Sequence, residues 1–463
     1  MACCEHGRGR ALGQRAHAGN SRATQMNRRS FGTGSACHAA DVRVSARVGN
    51  RNREHVGKQI PGIEKMPTLV DERKKEHVET PWRHTAQPPA AERGIFYQGI
   101  VYGGTGYAEE SWVIAAALAE SGIPVQLSPI GWGTDVMHLL PAYARQSLER
   151  ISRERVELED SILYQHAMAY LWNMSWHARV RVGRTMFETD RLPDGWAERC
   201  NAMDEVWVPT EFNRRTFSEA GVELKKLRVV RPGVDTELFR PGAEPLRIPY
   251  ARSFNFLSVF DVQPRKGSDL LLRAYLNEFK ADEDVALILK ISQHSERNAD
   301  PTAQICYFVE KEVGIPLEKC PPIILLNRFL SQADMASLYG AAHALVLPTH
   351  GEGYGRPLME ALASELPVIA TRWSGQLDFL NDENSYLIDV ESLVPASAEE
   401  ESFAGHLWAQ PSIDHLRQQM RRVFSHRGEA QQRARQGRSD MVANWDWSIT
   451  ARLWVDEFRR LLD

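Results

Sequence analysis

Beyond about residue 94, short apolar runs alternate with longer segments whose apolar positions recur every three or four residues. The pattern predicts a strand at 94–99, a helix at 111–121 and a second strand at 123–127. A strand, a helix and a strand in this order need a crossover connection, which predicts a parallel sheet. The alternation returns with a strand at 254–259 and continues to another at 384–388. Two α/β domains are therefore predicted.

Two stretches depart from this alternation. Residues 241–253 are rich in Pro, Gly, Ala and Glu, which suits a hinge between domains. A helix at about 448–462 has its apolar residues on one face, as expected of a helix that packs on a domain. The predicted segments are a disordered basic tail at 1–90, an N-terminal domain at 91–245, a C-terminal domain at 250–440 and a terminal helical segment at 441–463.

The tail has a composition of its own. Between residues 1 and 60 there are eleven Arg or Lys against three Asp or Glu, without apolar periodicity, which predicts disorder. An arginine-rich, acid-poor start is shared with transit peptides, but this one is long and lacks an amphipathic stripe. A solvated tail, or a true start at Met26 or Met66, is favoured. An RNA-associated role is weaker, since no aromatic residues are interleaved for stacking.

The length, composition, net charge and cysteine count of the whole chain exclude few further classes of function. The chain has 463 residues, 43% of them hydrophobic, and its net charge of −4 gives no general argument for nucleic-acid binding. The six cysteines show no metal-ligand spacing, which suits a reducing compartment. No apolar run approaches the ~20 residues of a membrane helix. A cytoplasmic location is predicted, with contact at a membrane surface left open.

One glycine-rich stretch carries the strongest chemical signal. It follows a buried apolar strand at 344–348, and its sequence is His350-Gly351-Glu352-Gly353-Tyr354-Gly355-Arg356-Pro357-Leu358-Met359-Glu360. Good helix formers follow Pro357, so the stretch is predicted to be a loop that opens a helix, with Glu360 in the first turn. Such a loop directs backbone N–H groups and the positive helix end toward one point, where an anion can bind.

Two carboxylates frame this point, because Glu352 and Glu360 have seven residues between them. A carboxylate accepts paired hydrogen bonds from vicinal hydroxyls, so the loop is predicted to hold a phosphate and polyhydroxy groups together. A nucleotide-sugar is such a ligand. For either residue alone a simpler alternative stays open, in which Glu360 only complements the helix dipole and Glu352 is solvated.

A second glycine-rich loop follows the first strand and contains Gly103, Gly104 and Gly106. Glu109 occupies the third glycine position of the G-x-G-x-x-G fingerprint, so a dinucleotide site is not supported. A tight turn would explain any one of these glycines, but hardly all three.

Two cations stand between a predicted strand at 254–259 and a helix at 268–279. Arg265 offers a forked donor and Lys266 a point charge, and both suit a pyrophosphate. Solvated surface charge is the alternative for both.

The run at 352–363 resembles the E-x7-E signature of retaining glycosyltransferases of family 4, and the similarity extends over roughly residues 94–460. The resemblance implies a GT-B fold, in which two Rossmann-like, doubly wound parallel-sheet domains face each other across a cleft. It places the acceptor on the N-terminal domain and the nucleotide-sugar on the C-terminal domain. It also implies that the terminal helix packs back on the N-terminal domain.

The resemblance further implies roles for single residues. Glu360 would hold the ribose hydroxyls, Glu352 the hydroxyls of the transferred sugar, and Lys266 the phosphates. The predicted catalytic residues are Glu352, Lys266 and Glu188. The predicted donor-binding residues are Arg265, Lys266, Leu330 at a loop that meets the base, Glu352, Gly353, Tyr354, Gly355, Arg356, Pro357 and Glu360, with Gly103, Gly104 and Gly106 approaching from the other domain.

Two positions depart from the family pattern. Glu188 stands where a histidine is usual, so it is expected to bind donor or acceptor hydroxyls or to cap the next segment. His166 could take the histidine's place, although a lone histidine is more often structural. Phe260 stands where the family has a second phosphate-binding arginine, which leaves Lys266 as the better candidate.

The predicted function is transfer of a sugar from a nucleotide-diphosphate-sugar to a hydroxyl of a glycan, lipid or small-molecule acceptor, with retention of configuration. No metal or other cofactor is expected, since the family lacks a D-x-D site and no metal cluster stands out. A nucleotide-sugar-binding protein without turnover is the alternative. A glycoside hydrolase using Glu352 and Glu360 would leave the phosphate-suited loops unused.

Overall fold

The computed structural model of the chain describes residues 92–102, 105–131, 140–292, 301–328, 330–397 and 401–463. The tail predicted at 1–90 lies outside these residues. No described helix is both long and apolar enough to cross a membrane.

The N-terminal domain is built on a six-stranded parallel sheet with the order β2-β1-β3-β4-β5-β6. In its centre Ile95 pairs with Val125 on one side and with Ile162 on the other. The strands are β1 Ile95–Ile100, β2 Val125–Ile130, β3 Ile162–His166, β4 Val180–Arg184, β5 Glu205–Val208 and β6 Leu227–Val229; the helices are α1 Gly106–Ser121, α2 Ala142–Ile151, α3 Trp196–Asn201 and α4 Glu211–Glu219.

The boundaries of these helices follow from local chemistry. The Thr105 side chain caps α1 by accepting a hydrogen bond from Ala108 N, and Gly122 ends the helix in the left-handed region at φ 76°. The Thr210 hydroxyl accepts a hydrogen bond from Asn213 N at 3.3 Å and caps the start of α4.

The C-terminal domain repeats the architecture with the strand order β12-β11-β10-β7-β8-β9, also parallel. Its strands are nearly continuous apolar runs because helices cover both faces of the sheet. The strands are β7 Phe254–Asp261, β8 Val285–Ser292, β9 Ile323–Leu326, β10 Ala344–Leu347, β11 Val368–Thr371 and β12 Tyr386–Ile388; the helices are α5 Ser268–Glu278, α6 Pro301–Tyr307, α7 Gln332–Gly340 and α8 Arg356–Ala363.

Together the two sheets confirm the predicted fold class of two doubly wound α/β domains. The sequence Arg184-Thr185-Met186-Phe187 predicts a further strand, and this prediction is wrong in position, because the strand lies earlier, at Val180–Arg184. Its pairing with β3 begins at Val180 opposite Ile162 and ends at Arg184 opposite His166. Residues 185–187 therefore belong to the connection after β4.

An antiparallel hairpin extends from the C-terminal domain and packs on the other domain. Its strands are β13 Val390–Pro395 and β14 Leu407–Pro411. Phe403 and Trp408 join a buried cluster with Phe187 and Trp196 of the N-terminal domain. We call residues 390–397 and 401–411 the bridging hairpin.

The chain ends in three helices, α9 Ile413–Ser425, α10 Arg427–Asp440 and α11 Trp447–Leu462. The last of them packs against α1. Its Trp454 and Phe458 form an aromatic cluster with Tyr164 and Trp207, with ring centroids 4.9 to 6.3 Å apart. This cluster covers one face of the N-terminal sheet with residues from the opposite end of the chain.

Candidate functional site

A cleft of about 270 Å³ lies between the two domains. On the C-terminal side it sits where β7 and β10 are neighbours and the strand order reverses direction. Ligands of doubly wound sheets bind at this kind of switch point, outside the carboxyl ends of the strands. The connections after β7 and β10 therefore determine the chemistry of the cleft.

We call the connection after β10, residues 348–355, the donor loop, after the ligand that the sequence predicts for it. Gly355 has a φ of 83°, a left-handed conformation that glycine adopts without strain, and α8 begins at the next residue. A Cβ at Gly351 would collide with the carbonyl oxygen of Glu188, so glycine allows the donor loop to touch the N-terminal domain. The predicted loop and helix are both present at these positions.

A second turn, Gly375–Asp378, supports the donor loop from behind. The Ser374 hydroxyl accepts a hydrogen bond from Glu352 N at 2.8 Å and donates to Gln376 Oε1 at 2.8 Å. Gly375 N donates to Glu352 O at 3.1 Å. The backbone on both sides of the Glu352 side chain is thus held in place.

Glu352 meets both cations of the connection after β7. Lys266 Nζ lies 2.7 Å from Glu352 Oε1, and Arg265 Nη1 lies 3.4 Å from Glu352 Oε2. Glu352 is buried, which raises its pKa, but Lys266 and Arg265 lower it more, so the net shift is downward. The group is therefore ionised at neutral pH.

Arg265 also connects the two domains. Its Nη1 donates to Gly351 O at 2.5 Å, and its Nη2 lies 3.2 Å from Glu188 Oε1 in the connection after β4. Arg265 is buried under the donor loop, whereas Lys266 and Glu188 line the cleft. Neither cation is a solvated surface charge.

Glu360 also lines the cleft. Because α8 begins at Arg356, Glu360 is in the second turn and not in the first, where the sequence predicted it. Arg356 donates to Glu360 Oε1 from Nε and Nη2 at 2.9 and 2.7 Å, and Tyr339 donates to Oε2 at 2.8 Å. Arg356 also forms an ion pair with Glu109 of α1 across the cleft.

Most of the remaining predicted residues belong to the same cleft. Its lining includes Gly353, Tyr354, Gly355, Pro357, Leu330 and Gly106. Gly103 and Gly104 lie outside the described residues. Phe260 is buried and also lines the cleft, at the position where the family pattern has an arginine.

His166 is a core residue and not part of the cleft. Its Nδ1 lies 3.0 Å from Ser111 Oγ, and its Nε2 lies 2.9 Å from Glu110 Oε2. Arg184 donates to the same carboxylate from Nη2 at 2.6 Å. The simpler, structural interpretation of this histidine is therefore the right one.

Several lining residues were not predicted from the sequence, and two of them, Lys290 and Gln332, are polar side chains near the end of β8 and the start of α7. Lys290 is 3% exposed, and burial lowers its pKa to about 8 against the raising influence of Asp261. Gln332 is the first residue of α7. The lysine near the end of an otherwise apolar strand was an available signal, but nothing in the sequence pointed to Gln332.

Within the described ranges, no group of three or more His, Cys, Asp or Glu is placed to hold a metal ion.

The family match lies in the C-terminal domain. Residues 252–407 match the family model described as Glycosyl transferases group 1. D-inositol 3-phosphate glycosyltransferase 1 from Catenulispora acidiphila is 31% identical over 164 residues, 34% of this chain and 37% of that protein. The D-inositol 3-phosphate glycosyltransferase from Acidothermus cellulolyticus is 27% identical over 230 residues, 46% and 50% of the two chains. The chain thus spans half or less of the length of these relatives.

Solved structures resemble a larger share of the chain. A glycosyltransferase from Rickettsia africae superposes with a TM-score of 0.59 at 14% identity, covering 80% of this chain and 99% of that one. HepE from Anabaena, solved with UDP-glucose, gives a TM-score of 0.56 at 14% identity, covering 79% and 99%. The chain therefore has the GT-B fold of glycosyltransferases, and its second domain carries the glycosyl transferases group 1 similarity.

Proposed function

We propose that this protein transfers a sugar from a nucleotide-diphosphate-sugar to an acceptor hydroxyl, with retention of configuration. The observation that carries the proposal is the meeting of Lys266 and Glu352, 2.7 Å apart, in a cleft that Glu188 enters from the other domain. A cation for phosphates and carboxylates for hydroxyls are thus held together between two domains. The group 1 match and the UDP-glucose bound by HepE support the same choice of ligand class.

Transfer breaks the bond between the anomeric carbon and a phosphate oxygen, and the electron pair of that bond leaves with the nucleoside diphosphate. The acceptor hydroxyl oxygen forms the new bond to the anomeric carbon, and its proton passes to the departing phosphate. Lys266 and the N-terminus of α8 supply fixed positive potential for this developing charge. Fixed groups of this kind do not need to reorganise during the reaction. We expect the chemistry to need no metal ion, so activity should persist in EDTA.

The carboxylates take the complementary roles. Glu360, held by Arg356 and Tyr339, is oriented to accept from the ribose hydroxyls. Glu352 accepts from hydroxyls of the transferred sugar once the donor phosphates engage Lys266. Glu188, ion-paired with Arg265, places negative charge near the anomeric carbon as that carbon becomes positive.

The partners follow from these roles. The donor is a nucleotide-diphosphate-sugar, and the acceptor is a hydroxyl-bearing glycan, lipid or small molecule bound on the side of Glu188. We propose the cytoplasm as the location, with peripheral membrane contact depending on the acceptor.

Thermal unfolding of the full chain with UDP, GDP, ADP and their sugars tests the donor site. Bound ligand raises stability with the logarithm of its concentration over Kd. We expect one nucleoside diphosphate to raise Tm, and Lys266→Ala or Glu360→Ala to weaken that binding at least tenfold. Lys311→Ala, an exposed lysine outside the cleft, is the matched control.

Product analysis separates the enzyme from its alternative. Incubation with the stabilising nucleotide-sugar and a panel of acceptors should yield a glycoside with the donor's anomeric configuration by NMR. Donor binding without transfer to any acceptor would instead favour a nucleotide-sugar-binding protein. Absence of any nucleotide effect on Tm would contradict both.

A further inference from the structure

One part of the cleft lining comes from β7, β8 and α7, and in the strand order β8 lies on the other side of β7 from β10 and the donor loop. It is formed by the end of β7, the end of β8 and the start of α7, and we call it the base end. Its walls are partly apolar and partly polar, and they consist of Val259, Phe260, Asp261, Lys290, Leu330, Gln332 and Met335. A flat ring with a polar edge matches such a lining better than a phosphate does.

The Gln332 amide is the first observation that indicates a ligand. Both Oε1 and Nε2 are shielded from solvent, and neither has a hydrogen-bond partner among the described residues. Buried polar groups in folded proteins are nearly always hydrogen-bonded, since leaving them unpaired is costly. An acceptor and a donor on the same side chain are therefore available to one ligand edge.

Lys290 is the second observation. It pairs in register with Val259 of β7 and with Leu326 of β9, so its side chain lies at the carboxyl edge between two neighbouring connections. The ammonium group carries three N–H donors and no acceptor; one of them reaches Ile291 O at 3.3 Å. Asp261, which acts on Lys290 electrostatically, offsets its charge and makes this end less suited to a phosphate.

Building on the proposed donor function, we propose that Gln332 and Lys290 select a uracil base, whose edge thymine shares. This edge presents a carbonyl, an N3–H group and a second carbonyl. Gln332 Oε1 accepts from N3–H, Gln332 Nε2 donates to one carbonyl, and Lys290 Nζ donates to the other. Each protein group then meets a partner of opposite hydrogen-bonding type.

The other bases fit this arrangement less well. Adenine has no carbonyl for Lys290. Guanine presents an exocyclic amine on one side of its N–H group, so when Gln332 Oε1 accepts from that N–H group, the amine faces a second donor, either Lys290 Nζ or Gln332 Nε2. Cytosine can form both hydrogen bonds with Gln332 only if the side-chain amide rotates so that its oxygen and nitrogen exchange places. That rotation would place its N–H groups, and not its carbonyl, toward the Lys290 cation.

Binding of UDP, CDP, ADP, GDP and N3-methyl-UDP to the full chain, measured by calorimetry, tests the inference. We expect UDP to bind most tightly and N3-methyl-UDP at least tenfold more weakly. Gln332→Leu should weaken UDP about tenfold and remove the difference between UDP and its N3-methyl form. Lys290→Met should also weaken UDP, and Gln418→Leu, an exposed glutamine on α9, should change nothing.

The outcomes separate this inference from the donor function. Tighter binding of ADP or GDP than of UDP, or equal binding of all bases, would overturn the uracil selection while leaving a nucleotide-sugar donor in place. If no nucleoside diphosphate binds, both the uracil selection and the proposed donor function are contradicted. If Lys290→Met fails to fold, the N3-methyl comparison in wild type and in Gln332→Leu decides.

Discussion

Gly375, behind the donor loop, lies so close to neighbouring backbone atoms that a side chain does not fit there. A Cβ there would overlap the carbonyl oxygen of Gly353 and would lie 2.9 Å from that of Glu352. Both neighbours are backbone atoms, so they cannot give way as a flexible side chain would. The close approach lets Gly375 N bond Glu352 O.

We expect Gly375→Ala to lower the free energy of unfolding by about 1–3 kcal/mol, as overpacked positions do, and to weaken donor binding because the donor loop must shift. The control is Gly428→Ala on α10, where a Cβ meets nothing within 4 Å; alanine there should stabilise by about 0.5–1 kcal/mol. Urea denaturation and donor titration measure both. Equal effects of the two changes would contradict the packing argument.

Among single residues of the cleft, the sequence predicted those that lie close to one another along the chain. Glu352, Arg356 and Glu360 could be placed because a loop and a helix start keep them within a few residues of one another. Lys290 and Gln332 could not, since they line one cleft only after β8 and α7 have packed together in the folded domain. The pairing of Arg265 with Glu188 crosses two domains and has no local signature.

Helix α1 uses two adjacent acids in different ways. Glu109 forms an ion pair with Arg356 across the cleft, while Glu110 faces inward to Arg184 and His166. Burial raises the pKa of Glu110, but Arg184 and His166 lower it more, to about 2. The buried ion pair thus links the helix to β3 and β4.

Because its folded-state pKa lies below the ordinary 4.5, Glu110 stabilises the protein above pH 4.5, and this contribution is lost as the pH falls toward 2. Glu110→Gln should lower the free energy of unfolding by about 3 kcal/mol at pH 7, since it leaves Arg184 buried without its counter-charge. Denaturant curves at pH 7, 5 and 4 should show this deficit shrinking below pH 4.5. Glu120→Gln, exposed on the same helix, is the control; a deficit that stays constant with pH would contradict the assignment.

Among elements, buried parallel strands were predictable because they are short apolar runs between turn residues. The bridging hairpin was not, since β13 is mostly exposed and its sequence lacks the apolar run of a buried strand. The β4 strand lies earlier than predicted because the alternation of Val180 and Val182 is a weaker signal than the apolar residues after it. Pairing with β3, not local composition, determines where this strand ends.

The aromatic cluster of α11 ties the two ends of the described chain together. Phe458 is fully buried against Tyr164 and Trp207, with centroids 5.0 and 4.9 Å away. Phe458→Ala should lower the free energy of unfolding by about 3–5 kcal/mol through lost burial and a cavity. Leu453→Ala, 46% exposed on the same helix, should cost far less. Urea denaturation followed by tryptophan fluorescence compares them, and similar losses would mean that α11 is not packed in this way.

The bridging hairpin has a consequence for how such proteins can be recombined. Leu407 N donates to Asp190 Oδ1 at 2.7 Å, and the His406 ring lies 2.7 Å from Thr189 Oγ1, close in the chain to the Glu188 carboxylate. Trp408 of the same hairpin stacks on His350 of the donor loop, with ring centroids 4.7 Å apart. A chimera that exchanges domains at residues 241–253 would therefore bring a foreign hairpin and a foreign terminal helix to the first domain. Exchange of donor specificity between homologues should instead succeed when the transplanted segment ends before residue 390. The bridging hairpin and α11 then remain with the N-terminal domain on which they pack.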